Sequence, residues 1–328
     1  MGDVIHTLPA LTDAAKRLGD ISFDWVVEES FQEIPAMHPN VDNVMTVNIR
    51  RWRKNIWRYR GEIKACIKRL KASKYDCVID AQGLIKSAWL THYIKAPRFG
   101  LGKLSAKEAL SSWAYTNKIN VPKDLHAIER VRQLFSKSLG YSLNNLELDY
   151  GLSNQKEYYN RALNQPYVVF LHGTTWESKH WPERYWQQLV QLAVSESYHV
   201  YLPWGNKQEH ERASRLAEEY KNAHVLDKSS LKQLASTLMH AEGVVGVDSG
   251  LAHLTAACST SSVSLYGSTN SKLTATKGVN NQALQADFAC SPCMKKVCDY
   301  SGKSEVKPAC YQTLPPQYVF KALLSLIL

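Results

Sequence analysis

The chain alternates short, almost wholly apolar runs with longer stretches in which apolar residues recur at helical spacing. The short runs at residues 21–27, 44–49 and 75–80 predict β-strands. Residues 63–72 and 126–139 show the three- and four-residue apolar spacing of amphipathic helices. Strands that alternate with helices are typical of α/β domains built on parallel sheets, and this is the fold class that we expect.

Size and composition indicate two such domains. The 328 residues are 45% hydrophobic and 21% charged, which suffices for two separate cores. A polar, Asn-rich stretch at residues 140–166 predicts the linker, so we place the first domain at residues 1–150 and the second, with a C-terminal helix, at residues 151–328. No run approaches the roughly 20 apolar residues that span a bilayer, and the first residues do not have a signal-peptide pattern. These features favour a cytoplasmic protein.

A distinctive turn follows the apolar run at residues 244–247. Asp248, Ser249 and Gly250 end the predicted strand and begin a predicted helix that contains His253. The first turn of a helix presents unpaired backbone amides and the positive end of the helix dipole, which together bind phosphate. The alternative is an ordinary capped strand-to-helix turn, which α/β proteins contain in several copies.

A second predicted strand, at residues 168–171, ends in a loop of small, hydroxylated and cationic residues. Thr174 and Thr175 supply hydroxyls, Lys179 supplies a positive charge, and Gly173 permits close approach of a ligand to the backbone. This pattern predicts a second anion-binding loop, although the threonines could also act only as caps. Both loops follow strands of one predicted sheet, so they should converge where open α/β sheets bind ligands.

The next predicted strand ends at residues 201–205, and Glu209 lies at the start of the helix that follows it. A carboxylate there could accept both hydroxyls of a ribose, or it could be a solvated surface charge. No strand is followed by the glycine pattern of a dinucleotide dehydrogenase, and the chain has no P-loop motif. The sequence therefore favours another kind of nucleotide.

The net charge of +10 is concentrated in residues 50–74, where eleven Lys and Arg residues are opposed only by Glu62. Trp52, Trp57 and Tyr59 are interleaved with these cations. Such a segment attracts anionic lipid head groups or a phosphorylated, carboxylated sugar. Nucleic-acid binding is a further interpretation of the same pattern, and a solvated helix face is another for its later part.

Further motifs carry a family resemblance across nearly the whole chain. They are MGDVIHTLPALTDA (1–14), FDWVVEE (23–29), IRRWRK (49–54) and DAQGLIKS (80–87). With the loops above, they resemble the ADP-heptose:lipopolysaccharide heptosyltransferases. The resemblance implies the GT-B architecture, in which two Rossmann-like domains face a central cleft. It also implies inverting transfer of heptose from ADP-heptose to the Kdo sugar of Kdo2-lipid A, with no metal cofactor and no nucleic-acid partner.

The same resemblance implies residue roles. Asp3 would be the catalytic base, although an N-cap for a helix starting near Val4 is its structural alternative. The implied donor-binding residues are Thr174, Thr175, Lys179, Glu209, Asp248, Ser249, Gly250 and His253. The implied acceptor-binding residues are Arg50, Arg51, Arg53, Lys54 and Lys107, the last standing where the family commonly has arginine. Two alternatives remain: transfer of the second heptose, and a non-catalytic protein that binds nucleotide sugars or anionic lipids.

Two features depart from simple expectation. Family members have an apolar strand and a small-residue loop before Met-Gly-Asp, so we expect that the first strand of the N-terminal domain is missing and that the natural protein begins upstream of Met1. Near the other end stand Cys290, Cys293, Cys298 and Cys310, a cluster that could hold structural zinc, although its spacing is not that of the usual two-knuckle site. The other cysteines, Cys66, Cys77 and Cys258, are predicted to be core thiols.

Overall fold

The computed structural model describes residues 1–152 and 165–328. Its contacts divide the chain into two units, His6–Gly151 and Met1–Ile5 together with Leu152–Leu328. The first five residues thus pack with the second unit, whereas the sequence places them in the first domain. These residues join the second unit because they form a short helix, α1 (Gly2–Ile5), which packs on the helix Gly250–Ala257 of that unit.

The unit His6–Gly151 is built on parallel strands with helices between them. Its elements are α2 (Leu8–Leu18), β1 (Phe23–Glu28), β2 (Val41–Val47), α3 (Ile49–Trp52), α4 (Arg60–Ala72), β3 (Val78–Asp80), α5 (Ile85–Thr91), β4 (Arg98–Leu101), β5 (Asn117–Ile119) and α6 (Ala127–Leu139), with 3-10 turns at Glu29–Phe31, Pro35–Met37 and Ala109–Ala114. The strands predicted at residues 21–27, 44–49 and 75–80 correspond to β1, β2 and β3, with β3 shortened to three residues.

These strands form two parallel sheets, β1-β2 and β3-β4-β5, and within the described residues no strand pairing joins the two. The expectation of a preceding strand stays a prediction. A buried ion pair holds α2 to α6: Arg132 Nε lies 2.6 Å from Asp13 Oδ2. Arg132 also donates to the Leu146 carbonyl at 2.9 Å, so its buried donors are satisfied.

The second unit is a larger doubly wound domain. Its elements, after α1, are β6 (Tyr167–Leu171), α7 (Glu183–Ser195), β7 (His199–Leu202), α8 (Lys207–Ala217), β8 (Ala223–Val225), α9 (Leu231–Met239), β9 (Gly243–Val247), α10 (Gly250–Ala257), β10 (Ser262–Tyr266), α11 (Ser271–Thr274), β11 (Asn281–Gln285) and α12 (Pro316–Ile327), with 3-10 turns at Glu177–Lys179 and Ala309–Thr313. Every residue of β6, β9 and β10 is buried, as expected for strands covered by helices on both faces.

All strands of this sheet are parallel, in the order β11-β10-β9-β6-β7-β8. The chain therefore builds outward from β6 in one direction, and then returns to β9 and builds in the other. This reversal creates a crevice at the carboxyl ends of β6 and β9, which is where doubly wound sheets bind ligands. The loops at residues 172–179 and 248–250 begin at these two strand ends.

In the parts of the chain that the structure describes, no helix combines the length and hydropathy required to cross a bilayer.

Candidate active site

The loops after β6 and β9 are joined directly. The Thr174 hydroxyl donates to the backbone carbonyl of Asp248 at 2.9 Å. The Asp248 amide in turn donates to the Leu265 carbonyl of β10 at 3.1 Å. The predicted convergence of the two loops is thus present in the structure, because the strand order places β6 and β9 side by side.

The Asp248 carboxylate is buried and held by three side chains. Its Oδ2 atom lies 2.8 Å from Lys179 Nζ and accepts from the Thr269 hydroxyl at 2.7 Å. Its Oδ1 atom lies 4.0 Å from His253 Nε2. Oδ1 has the weaker of these contacts, so it is the oxygen that is better placed to accept a ligand hydroxyl.

Lys179 is positioned by contacts of its side chain, its backbone and the neighbouring residue. Its ammonium group lies 4.6 Å from the centroid of the Trp176 ring, a cation–π geometry, and only 15% of its side chain is exposed. Its backbone carbonyl accepts from the buried Tyr311 hydroxyl at 2.8 Å. The neighbouring Ser178 hydroxyl donates to the Lys295 carbonyl at 2.6 Å. A largely desolvated, immobilised cation of this kind can stabilise an anion strongly.

The N-terminus of α10 is formed as the sequence predicts. Ser249 is its N-cap, accepting from the Ala252 amide at 3.4 Å, which leaves the first amides of the helix, including that of Gly250, without intrahelical partners. The Met1 side chain packs on Gly250 so closely that a Cβ added there would lie 2.5 Å from Met1 Sδ. This packing places α1, and therefore Asp3, beside α10.

Asp3 is exposed and lies in the first turn of α1. The helix begins at Gly2 rather than near Val4, so Asp3 does not have the N-cap position of its structural alternative. Its exposed carboxylate belongs to the same unit as the two loops.

Glu209 lies in the first turn of α8, after β7. Its Oε2 atom accepts from the Gly205 amide at 2.7 Å, and Asn206 caps the helix by accepting from the Glu209 amide at 3.0 Å. A Cβ built on Gly173 would lie 2.7 Å from Glu209 Cδ. The Glu209 carboxylate is thus held against the loop after β6, although the two residues are far apart in sequence.

Gly173→Ala tests this contact. We expect the added methyl group to displace the Glu209 carboxylate and to raise the KM for a ribose-containing donor about tenfold, with a smaller change in kcat. Steady-state kinetics measure both KM and kcat. The control is Gly61→Ala on α4, where no atom lies within 4 Å of an added Cβ, and kinetics should not change. An unchanged KM in Gly173→Ala would contradict a role for Glu209.

Sequence reasoning missed several residues near these loops. Thr269 follows β10, and its position at another strand end was an available signal. Arg212 Nη1 donates to the His172 carbonyl at 3.1 Å and lies 2.9 Å from His180 Nδ1. Burial, and next the Arg212 guanidinium, lower the pKa of His172 to about 3 and lower that of His180 as well. Both imidazoles are therefore neutral at physiological pH.

The basic residues implied for the acceptor follow the carboxyl end of β2 in the other unit. Arg50, Arg51, Arg53 and Lys54 are all exposed. Arg51 also pairs with Glu62 at 2.7 Å and lies 5.0 Å from the Tyr59 ring centroid. Hydrogen bonds from the Trp52 indole, first, and from Arg51 lower the pKa of Glu62. Arg51 thus already has an ionic partner within its own unit.

Lys107 is exposed and lies on the loop after β4, beside the other sheet of the same unit.

The cysteines do not form a metal site in the structure. No group of three or more His, Cys, Asp or Glu side chains is placed to hold a metal ion in residues 1–152 and 165–328. Cys290 is exposed, Cys293 and Cys298 are half-buried, and Cys310 is buried. Of the predicted core thiols, Cys258 is buried, and burial raises its pKa to about 12, whereas Cys66 and Cys77 are half-buried.

Comparison with known proteins gives a consistent result. The model of glycosyltransferase family 9 (heptosyltransferase) matches residues 63–303. Lipopolysaccharide heptosyltransferase 1 of Pseudomonas aeruginosa is 47% identical, covering 100% of this chain and 96% of that protein. The enzyme of the same name from Escherichia coli K12 is 45% identical, covering 87% of this chain and 91% of that protein.

Solved structures agree. E. coli heptosyltransferase WaaC with ADP-2-deoxy-2-fluoro heptose is 40% identical with a TM-score of 0.86, covering 99% of this chain and 96% of that one. WaaC with ADP has a TM-score of 0.83 at 44% identity, covering 86% and 89%. The predicted fold class, α/β of the GT-B type, is confirmed. The chain belongs to glycosyltransferase family 9, the heptosyltransferases.

Proposed function

We propose that this enzyme transfers L-glycero-D-manno-heptose from ADP-heptose to the Kdo of Kdo2-lipid A, in the assembly of the lipopolysaccharide inner core. The observation that carries the proposal is the cluster of Thr174, Lys179, Asp248 and the N-terminus of α10 at the switch point of the larger sheet. The relatives named lipopolysaccharide heptosyltransferase 1, and the WaaC structures with ADP and with a fluorinated ADP-heptose, support the choice of donor.

The donor residues divide by chemistry. Lys179, Thr175 and the amides of Ser249 and Gly250 offer positive charge and hydrogen-bond donors to the diphosphate. The Thr174 hydroxyl, which the family resemblance also assigns to the diphosphate, donates instead to the Asp248 carbonyl and holds the loop in place. Glu209 offers a carboxylate to the ribose hydroxyls. Asp248, through Oδ1, accepts from heptose hydroxyls, while His253 braces it from the other side.

The reaction needs one base and a stabilised leaving group. A Kdo hydroxyl oxygen attacks the anomeric carbon of the heptose, the bond from that carbon to the phosphate oxygen breaks, and the configuration inverts. Asp3 takes the hydroxyl proton. The bonding electron pair leaves with ADP, whose developing charge is stabilised by Lys179 and by the positive end of α10.

The acceptor is anionic, and Arg50, Arg51, Arg53, Lys54 and Lys107 would bind its carboxylates and phosphates. Guanidinium groups match both anions in geometry, so the exposed Arg50 and Arg53 are the strongest candidates for paired hydrogen bonds. Because the acceptor is a lipid, we place the enzyme at the cytoplasmic face of the inner membrane as a peripheral protein. The cationic segment at residues 50–74 supports that placement.

The decisive assay measures ADP release from ADP-heptose with and without Kdo2-lipid A. Acceptor-dependent release, with one heptose added per acceptor, supports the proposal. Release only with an acceptor that already carries one heptose would identify transfer of the second heptose instead. Binding of ADP-heptose without release with either acceptor would indicate a non-catalytic protein.

We expect catalysis to proceed without a metal ion, since Lys179 and the α10 amides can supply the charge stabilisation of the leaving group. Turnover in EDTA should stay within about twofold of the untreated rate. The assay is ADP release after extensive dialysis against the chelator, with added Mg²⁺ or Mn²⁺ as the comparison. A more than about tenfold loss that either metal restores would contradict this expectation.

A further inference from the structure

The smaller unit exposes large apolar side chains on two neighbouring elements. Ile85 and Trp89 of α5 are 49% and 38% exposed, and Leu110 and Trp113 of the 3-10 turn Ala109–Ala114 are 61% and 78% exposed. Single exposed apolar residues are ordinary, but a group of them marks an interaction surface. We name these four residues the apolar face.

Spacing shows that each pair shares one side of its element. Ile85 and Trp89 are four residues apart on an α-helix, while Leu110 and Trp113 are three apart on a 3-10 turn, so the members of each pair are neighbours. The residues between Leu110 and Trp113 are buried serines, which turn inward. The 3-10 turn packs its serines against the unit and α5 packs Ala88, Leu90 and Thr91, while both elements present bulky apolar side chains outward.

The two elements also lie next to each other. Glu108, immediately before the 3-10 turn, accepts from the Ile85 amide through Oε2 at 2.6 Å. The Glu108 amide donates to the Gly83 carbonyl at 3.1 Å. These bonds hold the start of the turn against the start of α5, and they engage the carboxylate of Glu108.

A cationic helix borders the apolar face. The Trp89 ring contacts the Tyr93 ring edge-on with centroids 5.2 Å apart, and Lys71 Nζ of α4 lies 5.8 Å from the Tyr93 centroid. Lys64, Lys68 and Lys71 recur at helical spacing on α4, and all three are exposed. Exposed Trp89 therefore leads, through Tyr93, to a row of lysines.

We propose that the apolar face and this lysine row together dock the enzyme on an anionic phospholipid bilayer. Tryptophan side chains favour the head-group region, and lysines favour the negative surface beside it. A second copy of this chain fits less well, because lysine is depleted at protein interfaces and a net charge of +10 opposes self-association. The inference rests on the proposed function, in which the acceptor is held in a membrane.

The test is sedimentation of the full chain with vesicles of phosphatidylethanolamine and phosphatidylglycerol. We expect Trp89→Ser/Trp113→Ser to weaken binding at least about tenfold. Lys64→Gln/Lys68→Gln/Lys71→Gln should remove the preference for these vesicles over phosphatidylcholine vesicles. The matched control is Tyr318→Ser, which replaces a side chain that is 48% exposed in the other unit and should leave binding unchanged.

Two further measurements separate this proposal from the proposed function. Heptose transfer to a water-soluble, deacylated acceptor should be unaffected in the double tryptophan variant, with an unchanged thermal midpoint. A wild-type chain that binds vesicles through these residues but transfers no heptose would refute only the proposed function. The docking proposal is overturned if the wild-type chain does not bind the vesicles, if the tryptophan variant binds equally well, if that variant loses transfer to the soluble acceptor, or if its change abolishes a dimer instead.

Discussion

We expect Asp3→Asn to lower kcat by about 10²–10⁴-fold and to leave the affinity for ADP-heptose nearly unchanged. The amide keeps the size and shape of the carboxylate, so the packing of Met1 on Gly250 that holds α1 beside α10 is preserved. The substitution removes the negative charge and with it the capacity to accept a proton. Because Asp3 is exposed rather than built into the donor loops, its removal does not dismantle the site for the nucleotide.

Calorimetric titration with ADP-heptose and steady-state ADP release measure the two quantities separately. Asp42→Asn is the matched control, an exposed aspartate on β2 for which we expect no change in either quantity. If binding fell as far as turnover, Asp3 would not act simply as a base. A normal kcat would remove it from the mechanism.

Lys179→Met is expected to impair both catalysis and folding. Removing the ammonium group leaves the Asp248 carboxylate, which is 8% exposed, without its ionic partner, at a cost of about 3 kcal/mol in the free energy of unfolding. It also removes the cation that we assign to the departing ADP, which should lower kcat/KM by at least about 10²-fold.

A double variant distinguishes these effects. Lys179→Met/Asp248→Asn removes both charges, so urea denaturation should show most of the lost stability restored, with Thr269 still within reach of the new amide. Turnover should stay low. Recovery of turnover along with stability would mean that Lys179 serves only to neutralise Asp248.

The elements and residue types of the proposed donor site were largely predictable from sequence. Strands β6 and β9 lie within continuous apolar runs, and the residues that follow them are the small, polar and capping types that such turns use. Ser249 caps α10 and Glu209 lies in the first turn of α8, and the signals for both helix starts are local. These residues could be predicted because the conformation at each position depends on a few neighbours in the chain.

Contacts between distant residues were not predictable in this way. The sequence shows Glu62 as the only acidic residue among the cations of residues 50–74, but it does not show which cation forms an ion pair with it. The pairing with Arg51 depends on how α3 and α4 pack. Thr269 reaches Asp248 only because β10 lies beside β9. The placement of Met1–Ile5 with the second unit likewise follows from packing on α10 rather than from chain order.

Sequence by itself determined the α/β class, the strands and helices that carry the site, and the residue types at each strand end, because periodicity and capping act over short distances. The tertiary structure decided which of those ends meet. Strand order placed β6 against β9, and this joined Thr174 to Asp248 and Lys179 to the same carboxylate. Side chains far apart in sequence become partners through backbone pairing and packing, which local patterns do not encode.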